Sequence, residues 1–409
     1  MAYYLLSHSK TYPMKYIPIT LLTLCLFAKP TFSQTKHRTT QIGDSLLSKY
    51  QFQKALAYFE HELNIEKKNV KTLSKIALCH RQLGNSNKEK ATYEAILKID
   101  SSHIPSLNQM GGIYLQLKNY EKSTYLFRYL SKQQPDNSYY YKQLGKVAHR
   151  ASQFIDAVIY YEKAISLNKN DIESTLQLCK IYYNLQLYTK LDSCIALGKA
   201  LDDLNTVPWL YEMKSSYAQK KYNNTIDAIN RALELGEDSS VFIMQKLGVS
   251  FYHQGQYYSA IKVLKRLLEQ DKNNESIHYY LGLSYKKIRE FEKGQYHFES
   301  AIDKGITRYL SDYYVQLALC FEEQGLLEKS IKSYQIAYKS SKQNILLYHL
   351  ARNYDLYYKD KSTALSYYER YLAMNDSDHI PLLGYSKKRI SELKEIIHFD
   401  TGNTNNSLD

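Results

Sequence analysis

The sequence is poor in residues that force a chain to turn sharply. Only 7 prolines and 15 glycines occur among 409 residues, so the composition predicts a helical chain with few tight turns. Cysteine is also scarce, and the 5 cysteines are spaced too widely for a disulfide-stapled domain. They form no CxxC pair of the kind that binds metals.

Catalytic sequence motifs are missing as well. There is no HExxH, because His61-Glu62 lacks the second histidine, and no GxGxxG, GxxxxGK[ST] or GxSxG. Cys79 and His80 are adjacent, and side chains of adjacent helical residues diverge by about 100°. The sequence therefore predicts a protein that is not an enzyme, with no cofactor and no metal.

Tyrosine is the residue in excess. The chain has 42 tyrosines and 23% charged residues. Its 44% hydrophobic residues suffice for a large core. Length alone predicts two or three domains.

The N-terminus has the pattern of a secretory signal peptide over residues 1–33. Lys10 and Lys15 precede an apolar run at 17–28, and Ser33 is a small residue suited to cleavage. A retained membrane anchor is the alternative, although the run is shorter than the roughly 20 residues a span needs. A lipoprotein site at Cys25 is disfavoured by the bulky Leu24 before it. Translation can start at Met1 or at Met14.

Removal of residues 1–33 lowers the formal net charge from +13 to +10, because the segment holds three lysines and no acidic residue. An exported, soluble and periplasmic location is the expectation that this segment supports. The positive charge favours encounter with anionic partners without identifying them.

An internal period of 34 residues runs through the chain. In the segment starting at Ser138 it is marked by Leu144-Gly145, Phe154, Ala157, Tyr161 and Ala164. Small residues at repeat positions 8 and 20 would let two antiparallel helices approach closely, and a bulky residue at position 24 would fill the space beside them. One repeat cannot bury its own apolar face, so neighbours must stack.

These residues resemble the tetratricopeptide repeat, whose pattern is W-x2-L-G-x2-Y, then A-x3-F, then A and P. The resemblance implies an all-α, right-handed superhelical solenoid of stacked antiparallel helix pairs. About ten repeats replace the two or three domains over residues 36–378, followed by a capping helix at 379–400 and a disordered tail at 401–409. The repeats are predicted to start near residues 36, 70, 104, 138, 172, 206, 241, 275, 311 and 345.

The resemblance also implies that first-helix positions 2, 5, 9, 12 and 13 line a concave groove for a partner. The middle of this wall is basic and rich in tyrosine, which suits an extended peptide or a partner helix with acidic side chains. The carboxylate clamp of tetratricopeptide co-chaperones is not matched, because Lys142 is followed by Lys146 rather than asparagine. The predicted groove residues are Tyr139, Lys142, Lys146, His149, Arg150, Lys180, Tyr183, Asn184, Lys214, Tyr217, Gln245, Tyr252, His253, Tyr279, Lys286 and Lys287.

Several interpretations of this surface compete. The leading one is an exported scaffold that binds a protein or peptide. The alternatives are a sensor or regulatory subunit that works with a separate membrane signalling partner, a binder of nucleic acid or anionic glycan, and a solvated face with no partner. The export signal argues against nucleic acid. Oligomeric state stays open, as does whether Cys179 and Cys194 are bridged.

Overall fold

The computed structural model describes residues 32–305, 309–374 and 381–405, which form α-helices without a β-strand in those ranges. The predicted all-α class of stacked helices is confirmed. The chain divides after Lys169 into two compact units, whereas the sequence predicts one continuous array. The predicted signal peptide lies outside the described residues except for Phe32 and Ser33, as do residues 406–409 of the predicted tail.

The first unit contains four helix pairs, and each helix packs against the next along the chain. Its helices are α1 (Phe32–Ser48), α2 (Phe52–Ile65), α3 (Val70–Gln82), α4 (Ser86–Ile99), α5 (Ile104–Gln116), α6 (Tyr120–Gln133), α7 (Ser138–Arg150) and α8 (Phe154–Leu167).

The second unit continues the pattern with six helix pairs and a final long helix. Its helices are α9 (Ile172–Asn184), α10 (Tyr188–Leu201), α11 (Thr206–Ala218), α12 (Tyr222–Glu234), α13 (Val241–His253), α14 (Tyr257–Gln270), α15 (Glu275–Lys287), α16 (Phe291–Lys304), α17 (Leu310–Glu323), α18 (Leu327–Ser341), α19 (Ile345–Tyr357), α20 (Ser362–Ala373) and α21 (Pro381–Asn405).

The first helix of most pairs begins at a residue where the sequence period places a repeat start. This holds for α3, α5, α7, α9, α11, α13, α15 and α19, while α17 starts one residue earlier and α1 four residues earlier. Asparagine often stands just before such a helix. Asn69, Asn137, Asn205 and Asn274 each accept a hydrogen bond from a backbone N–H of the first turn, which fixes the helix start.

The two helices of a pair lock together where a glycine at repeat position 8 meets the bulky residue at position 24. A Cβ atom added to Gly145 would lie 2.7 Å from the Tyr161 ring. The same contact, at 2.6–2.7 Å, joins Gly43 to Phe59, Gly111 to Phe127, Gly248 to Leu264 and Gly282 to Phe298. The side chain at position 24 therefore lies directly against the glycine at position 8. The sequence pattern predicted it beside the contact between the two helices.

In nine of the ten described pairs, all except α19 and α20, the turn between the two helices contains one residue with left-handed backbone. Glycine fills this position at Gly84, Gly255 and Gly325, with φ of 72–73°. Other residues fill it elsewhere, among them Lys118 at φ 57° and Ser152 at φ 60°. A side chain at such a position is strained, because its Cβ crowds the backbone.

Helix α21 closes the second unit. Leu383 and Leu393 are buried in a cluster with Tyr368 and Tyr371 of α20. The helix is described as far as Asn405, whereas the sequence prediction ends it at residue 400.

An ion pair fixes α21 against α19. The guanidinium of Arg389 donates two hydrogen bonds, of 2.7 and 3.0 Å, to the buried carboxylate of Asp355. Asp355 stands where the repeat pattern has tyrosine, so its departure from the pattern is explained by the partner on α21.

Candidate functional site

The predicted groove residues of the first unit all lie on α7, on one accessible face. Tyr139 and Arg150 are exposed, and Lys142, Lys146 and His149 are half-buried. The ring of His149 lies 6.0 Å from that of Phe154 at the start of α8. We call these five residues the α7 face: Tyr139, Lys142, Lys146, His149 and Arg150.

In the second unit, the residues predicted on α9 and α11 divide into two groups. Lys180 and Asn184 are exposed. Lys214 instead turns toward aromatic rings, with its Nζ 4.9 Å from the ring centre of Tyr211 and 6.0 Å from that of Tyr183. An ammonium group over an aromatic face is held by the ring quadrupole, so part of this positive charge is engaged within the protein.

Farther along the second unit the tyrosine rings contact one another in a continuous series. Tyr222 stacks on His253 at 4.3 Å, and the ring of Tyr252 lies 5.6 Å from that of Tyr280. Tyr279 lies 5.5 Å from Tyr280 and 4.8 Å from Tyr313. We call this series, formed by α11, α12, α13, α15 and α17, the tyrosine belt: Tyr217, Tyr222, Tyr252, His253, Tyr279, Tyr280 and Tyr313.

Burial keeps the titratable groups of the belt uncharged. It raises the pKa of Tyr279 to about 12, and the carboxylate of Asp312 acts in the same direction. Burial also raises the pKa of Tyr252 and lowers that of His253. At neutral pH the belt therefore presents neutral hydroxyl groups and ring surfaces.

The lysines beside the belt are directed into the protein. The Nζ of Lys246 lies 3.8 Å from the ring centre of Tyr217, and burial lowers its pKa. Lys286 donates a hydrogen bond to the side-chain oxygen of Gln316, and burial also lowers its pKa. Of the other two predicted residues here, Gln245 is half-buried and Lys287 is exposed.

A cavity of about 710 Å³ opens beside the belt. The described part of its wall contains five tyrosines, three carboxylates and no basic residue. The lining consists of Tyr217, Asp271, Asn273, Asn274, Glu275, Ser276, Tyr279, Tyr280, Tyr309, Asp312 and Tyr313. The basic, tyrosine-rich wall that the sequence predicts therefore describes α7 but not this cavity, where carboxylates from a loop and two helix starts converge.

The three carboxylates have different surroundings. Asp271 accepts a 2.9 Å hydrogen bond from the amide of Asn274, and Glu275 accepts one from the hydroxyl of Tyr313. Asp312, in the first turn of α17, is exposed and forms no ion pair within the described part of the chain. Of the three carboxylates, it has the fewest partners among the described residues.

Two buried histidines, His278 on α15 and His297 on α16, contact each other. Their Nδ1 atoms are 3.1 Å apart, and Nε2 of His278 lies 3.2 Å from the carbonyl oxygen of Lys272. Because that carbonyl can only accept, His278 carries its proton on Nε2, and its Nδ1 is an acceptor. Nδ1 of His297 therefore donates a hydrogen bond to Nδ1 of His278. Burial, with His278 and Lys265 acting in the same direction, lowers the pKa of His297 to about 4.

The single tryptophan also lies in the second unit. The Nζ of Lys199 is 3.4 Å from the ring centre of Trp209 and 2.5 Å from a carboxylate oxygen of Glu212. These groups pack α10 against α11.

All four cysteines in the described residues are free thiols. A hydrogen bond to Cys194, together with burial, raises the pKa of Cys179. Nowhere in the described ranges do three or more histidine, cysteine, aspartate or glutamate side chains converge as a metal site. None of the described helices is both long and apolar enough to span a bilayer.

Sequence reasoning missed several residues of this surface because it used only five positions of the repeat. Position 6 supplies Tyr211, Lys246 and Tyr280, and all three contact the belt or the rings next to it. Adding position 6, at the edge of the predicted wall, would have found them. Tyr222 lies at the start of a second helix, which the wall positions exclude.

Comparison with protein families identifies repeats in both units. The family described as Tetratricopeptide repeat matches residues 70–103, and the family described as TPR repeat matches residues 248–288. The first of these segments coincides with the second predicted repeat. One segment in each unit therefore matches a tetratricopeptide repeat family.

A curated relative carries the same type of repeat. The chain is 24% identical over 293 residues to a TPR repeat-containing protein of Methanocaldococcus jannaschii, a match that covers 69% of this chain. It covers 47% of the relative, so the chain spans about half the length of that protein.

Two solved structures illustrate the likeness in fold. YrrB, described as a TPR protein with an unusual peptide-binding site, has a TM-score of 0.41 and 15% identity, covering 47% of this chain and 97% of YrrB. A chain of the APC/C hetero-tetramer Cut9-Hcn1 has a TM-score of 0.44 and 11% identity, covering 87% of this chain and 96% of that one.

Proposed function

We propose that this protein is an exported, non-enzymatic scaffold of about ten tetratricopeptide repeats that binds a peptide or a partner protein along its first helices. The observation that carries the proposal is the accessible first-helix surface, where tyrosine rings and charged side chains lie side by side. Tyrosine offers a large contact area at a low cost in side-chain entropy. Charged neighbours steer encounter and select partners.

The α7 face supplies the basic part of this surface. Each of its five side chains is exposed or half-buried, so a partner can reach them without a change in fold. Its lysines and arginine favour a partner segment with acidic side chains. The residues that repeat packing requires, Leu144 and Gly145, are buried on the opposite side of the same helix.

Charge reversal tests the proposal. Replacing Lys142, Lys146 and Arg150 with glutamate is expected to lower partner capture about tenfold or more, because three steering charges change sign. A partner is first defined by crosslinking in intact cells followed by mass spectrometry. Capture of that partner by the purified variants is then compared at equal concentration.

The matched control reverses three exposed lysines on second helices of the same unit, Lys88, Lys98 and Lys132. The control should keep full capture, and both variants should keep the circular dichroism of the parent. Equal capture by the α7 variant and the parent would refute the role of this face. In the same mass spectra, a first peptide that begins at Gln34 supports export, and one that retains the apolar run refutes it.

A further inference from the structure

The cavity beside the tyrosine belt has a local charge opposite to that of the whole chain. The protein has a formal net charge of +13, yet the charged side chains among the described residues of the cavity wall are three carboxylates, Asp271, Glu275 and Asp312. A water-filled cleft lined by one sign of charge concentrates ligands of the other sign. The cavity therefore favours a cation.

Two of the three carboxylates lie at places in the fold that favour negative charge. Glu275 and Asp312 lie in the first turns of α15 and α17, where the helix dipole stabilises negative charge. Each helix start contributes about half a positive charge, so three carboxylates outweigh two helix ends. At α15 the backbone N–H of Ile277 is already bonded to the cap residue Asn274, which leaves that end less able to hold an anion.

Aromatic rings form the rest of the wall. Tyr279 and Tyr313 lie 4.8 Å apart with their planes inclined by 39°, and Tyr280 meets Tyr279 nearly edge-on at 5.5 Å. Ring faces attract ammonium and guanidinium groups, and a planar guanidinium also stacks on them. The same preference already operates in this unit, where Lys246 and Lys214 lie over tyrosine rings.

The cavity is larger than a single cationic group needs. Its volume of about 710 Å³ lies in the range of about 300–1,000 Å³ that holds drug-sized ligands. A cationic side chain together with a few neighbouring residues of an extended segment fits that volume. Asn273 and Ser276, which also line the cavity, offer polar groups to the backbone of such a segment.

We propose that this cavity, which we call the cation pocket, binds an arginine or lysine side chain presented by an extended segment of the partner protein. The inference rests on the proposed scaffold function and adds the chemistry of one contact. The carboxylate of Asp312 pairs with the cation, and the adjoining rings of Tyr279 and Tyr313 contact it from one side. The partner then carries basic residues for this pocket, in addition to acidic ones for the α7 face.

The test uses short capped glycine-serine peptides with a fluorescent label and two central arginines. In a second peptide both arginines are replaced by citrulline, which keeps the shape and removes the charge, and in a third by glutamate. The full-length protein is expected to bind the arginine peptide at least about fivefold more tightly than the citrulline peptide, by fluorescence anisotropy at low salt. The glutamate peptide should bind most weakly.

The substitution Asp312→Asn is expected to weaken binding of the arginine peptide about three- to tenfold, and Tyr279→Leu by a similar factor. Asp312 supports no other described side chain, so its variant should keep the parent fold. The matched control is Asp227→Asn, which removes an exposed carboxylate from the second helix α12. It should leave binding unchanged.

Three outcomes would overturn the inference. The first is equal binding of the arginine and citrulline peptides, and the second is an equal effect of Asp312→Asn and Asp227→Asn. Displacement of the peptide by free tetramethylammonium or free arginine at the same concentration would assign the pocket to a small cation and also overturn it. If the peptide test fails but charge reversal on α7 abolishes partner capture, the scaffold proposal stands. If charge reversal on α7 leaves partner capture unaltered but the protein still selects the arginine peptide, only the role of the α7 face is refuted.

Discussion

The α7 face of the first unit and the cation pocket of the second occupy the same part of the repeat but present opposite charge. Position 5 holds Lys142 on α7 and Tyr279 on α15, and position 2 holds Tyr139 on α7 and Asp312 on α17. The helices around them are built alike, with Gly145 against Tyr161 and Gly282 against Phe298. Repeat packing therefore fixes where these side chains lie and leaves their chemistry free to differ.

This contrast shows why the overall charge of the chain is a poor guide to its binding surfaces. The basic excess is real, but Lys214 and Lys246 direct their charges onto tyrosine rings. Carboxylates meanwhile gather at the starts of α15 and α17. Charge complementarity has to be judged for each local surface, because screening limits its reach to about 10 Å in ordinary salt.

The largest effect that separates the two units should come from acid. His297 has its pKa lowered to about 4 from an ordinary value of 6.5, so the folded protein stays neutral there while the unfolded chain takes up a proton. The free energy of unfolding is therefore fully retained above about pH 6.5 and falls as the pH drops toward 4. The full loss is about 3 kcal/mol, since one pKa unit is worth about 1.4 kcal/mol.

The charged groups around this histidine pair strengthen the effect. Lys265, Lys272 and Lys304 outnumber Glu269 and Asp303 in the adjoining cavity, which further disfavours an imidazolium. Hydrogen exchange at about pH 7.5 and about pH 5 should show α15 and α16 losing more protection than α5 and α6. His297→Phe keeps a ring against Tyr285 and should reduce the difference, while His278, whose pKa burial also lowers, accounts for the remainder. An unchanged difference in that variant would contradict the assignment.

A second prediction tests what the two units share. Gly111→Ala in the first unit and Gly282→Ala in the second should each destabilise by about 1–2 kcal/mol, because the new methyl group meets a phenylalanine ring at 2.7 Å. The neighbouring Gly112 has open space around it. Gly112→Ala should instead stabilise by up to about 1 kcal/mol through helix propensity.

Urea unfolding followed by circular dichroism measures all three variants. Opposite signs for Gly111→Ala and Gly112→Ala would locate the cost in the ring contact rather than in the loss of glycine. If both stabilise the protein, the close packing of these helices is wrong.

The smallest effect concerns the turns. Ser152 in the first unit and Arg289 in the second have left-handed backbone with φ of 60° and 65°. Replacing either with glycine relieves that strain but increases the entropy of the unfolded chain. The free energy of unfolding is therefore expected to rise by about 0.5 kcal/mol. Gly255→Ala places a side chain at a position with left-handed backbone and should lower the free energy of unfolding by about 1 kcal/mol. Thermal unfolding measures these variants. A gain in Gly255→Ala would contradict the strain argument.

The sequence was sufficient to predict the fold because the fold is determined by a local pattern. A small residue at position 8 and a bulky one at 24 recur at a constant interval, so the starts of α3, α7 and α15 follow from counting. The same counting placed Tyr252 and Tyr279 on the accessible surface. Residues outside the counted positions, such as Tyr280 and Tyr313, were missed.

The cation pocket could not be predicted in the same way. Its carboxylates come from the loop after α14, from the start of α15 and from the start of α17, and of these only Asp312 occupies a wall position of its repeat, where the sequence already indicates an acidic residue. Only stacking of successive repeats brings Asp271 and Asp312 to one cavity. The histidine pair is a similar case, because His278 and His297 lie on the two helices of a pair and meet through packing.

Trp209 has a practical consequence for fluorescence measurements on this protein. It is the single tryptophan among 55 aromatic residues of phenylalanine, tyrosine and tryptophan, and it lies in the second unit with the ammonium group of Lys199 at 3.4 Å from its ring centre. A charge so close to an indole alters the colour and the brightness of its emission. Selective excitation of the indole therefore makes the protein its own optical reporter, sensitive to events around α10 and α11 and silent for those confined to the first unit.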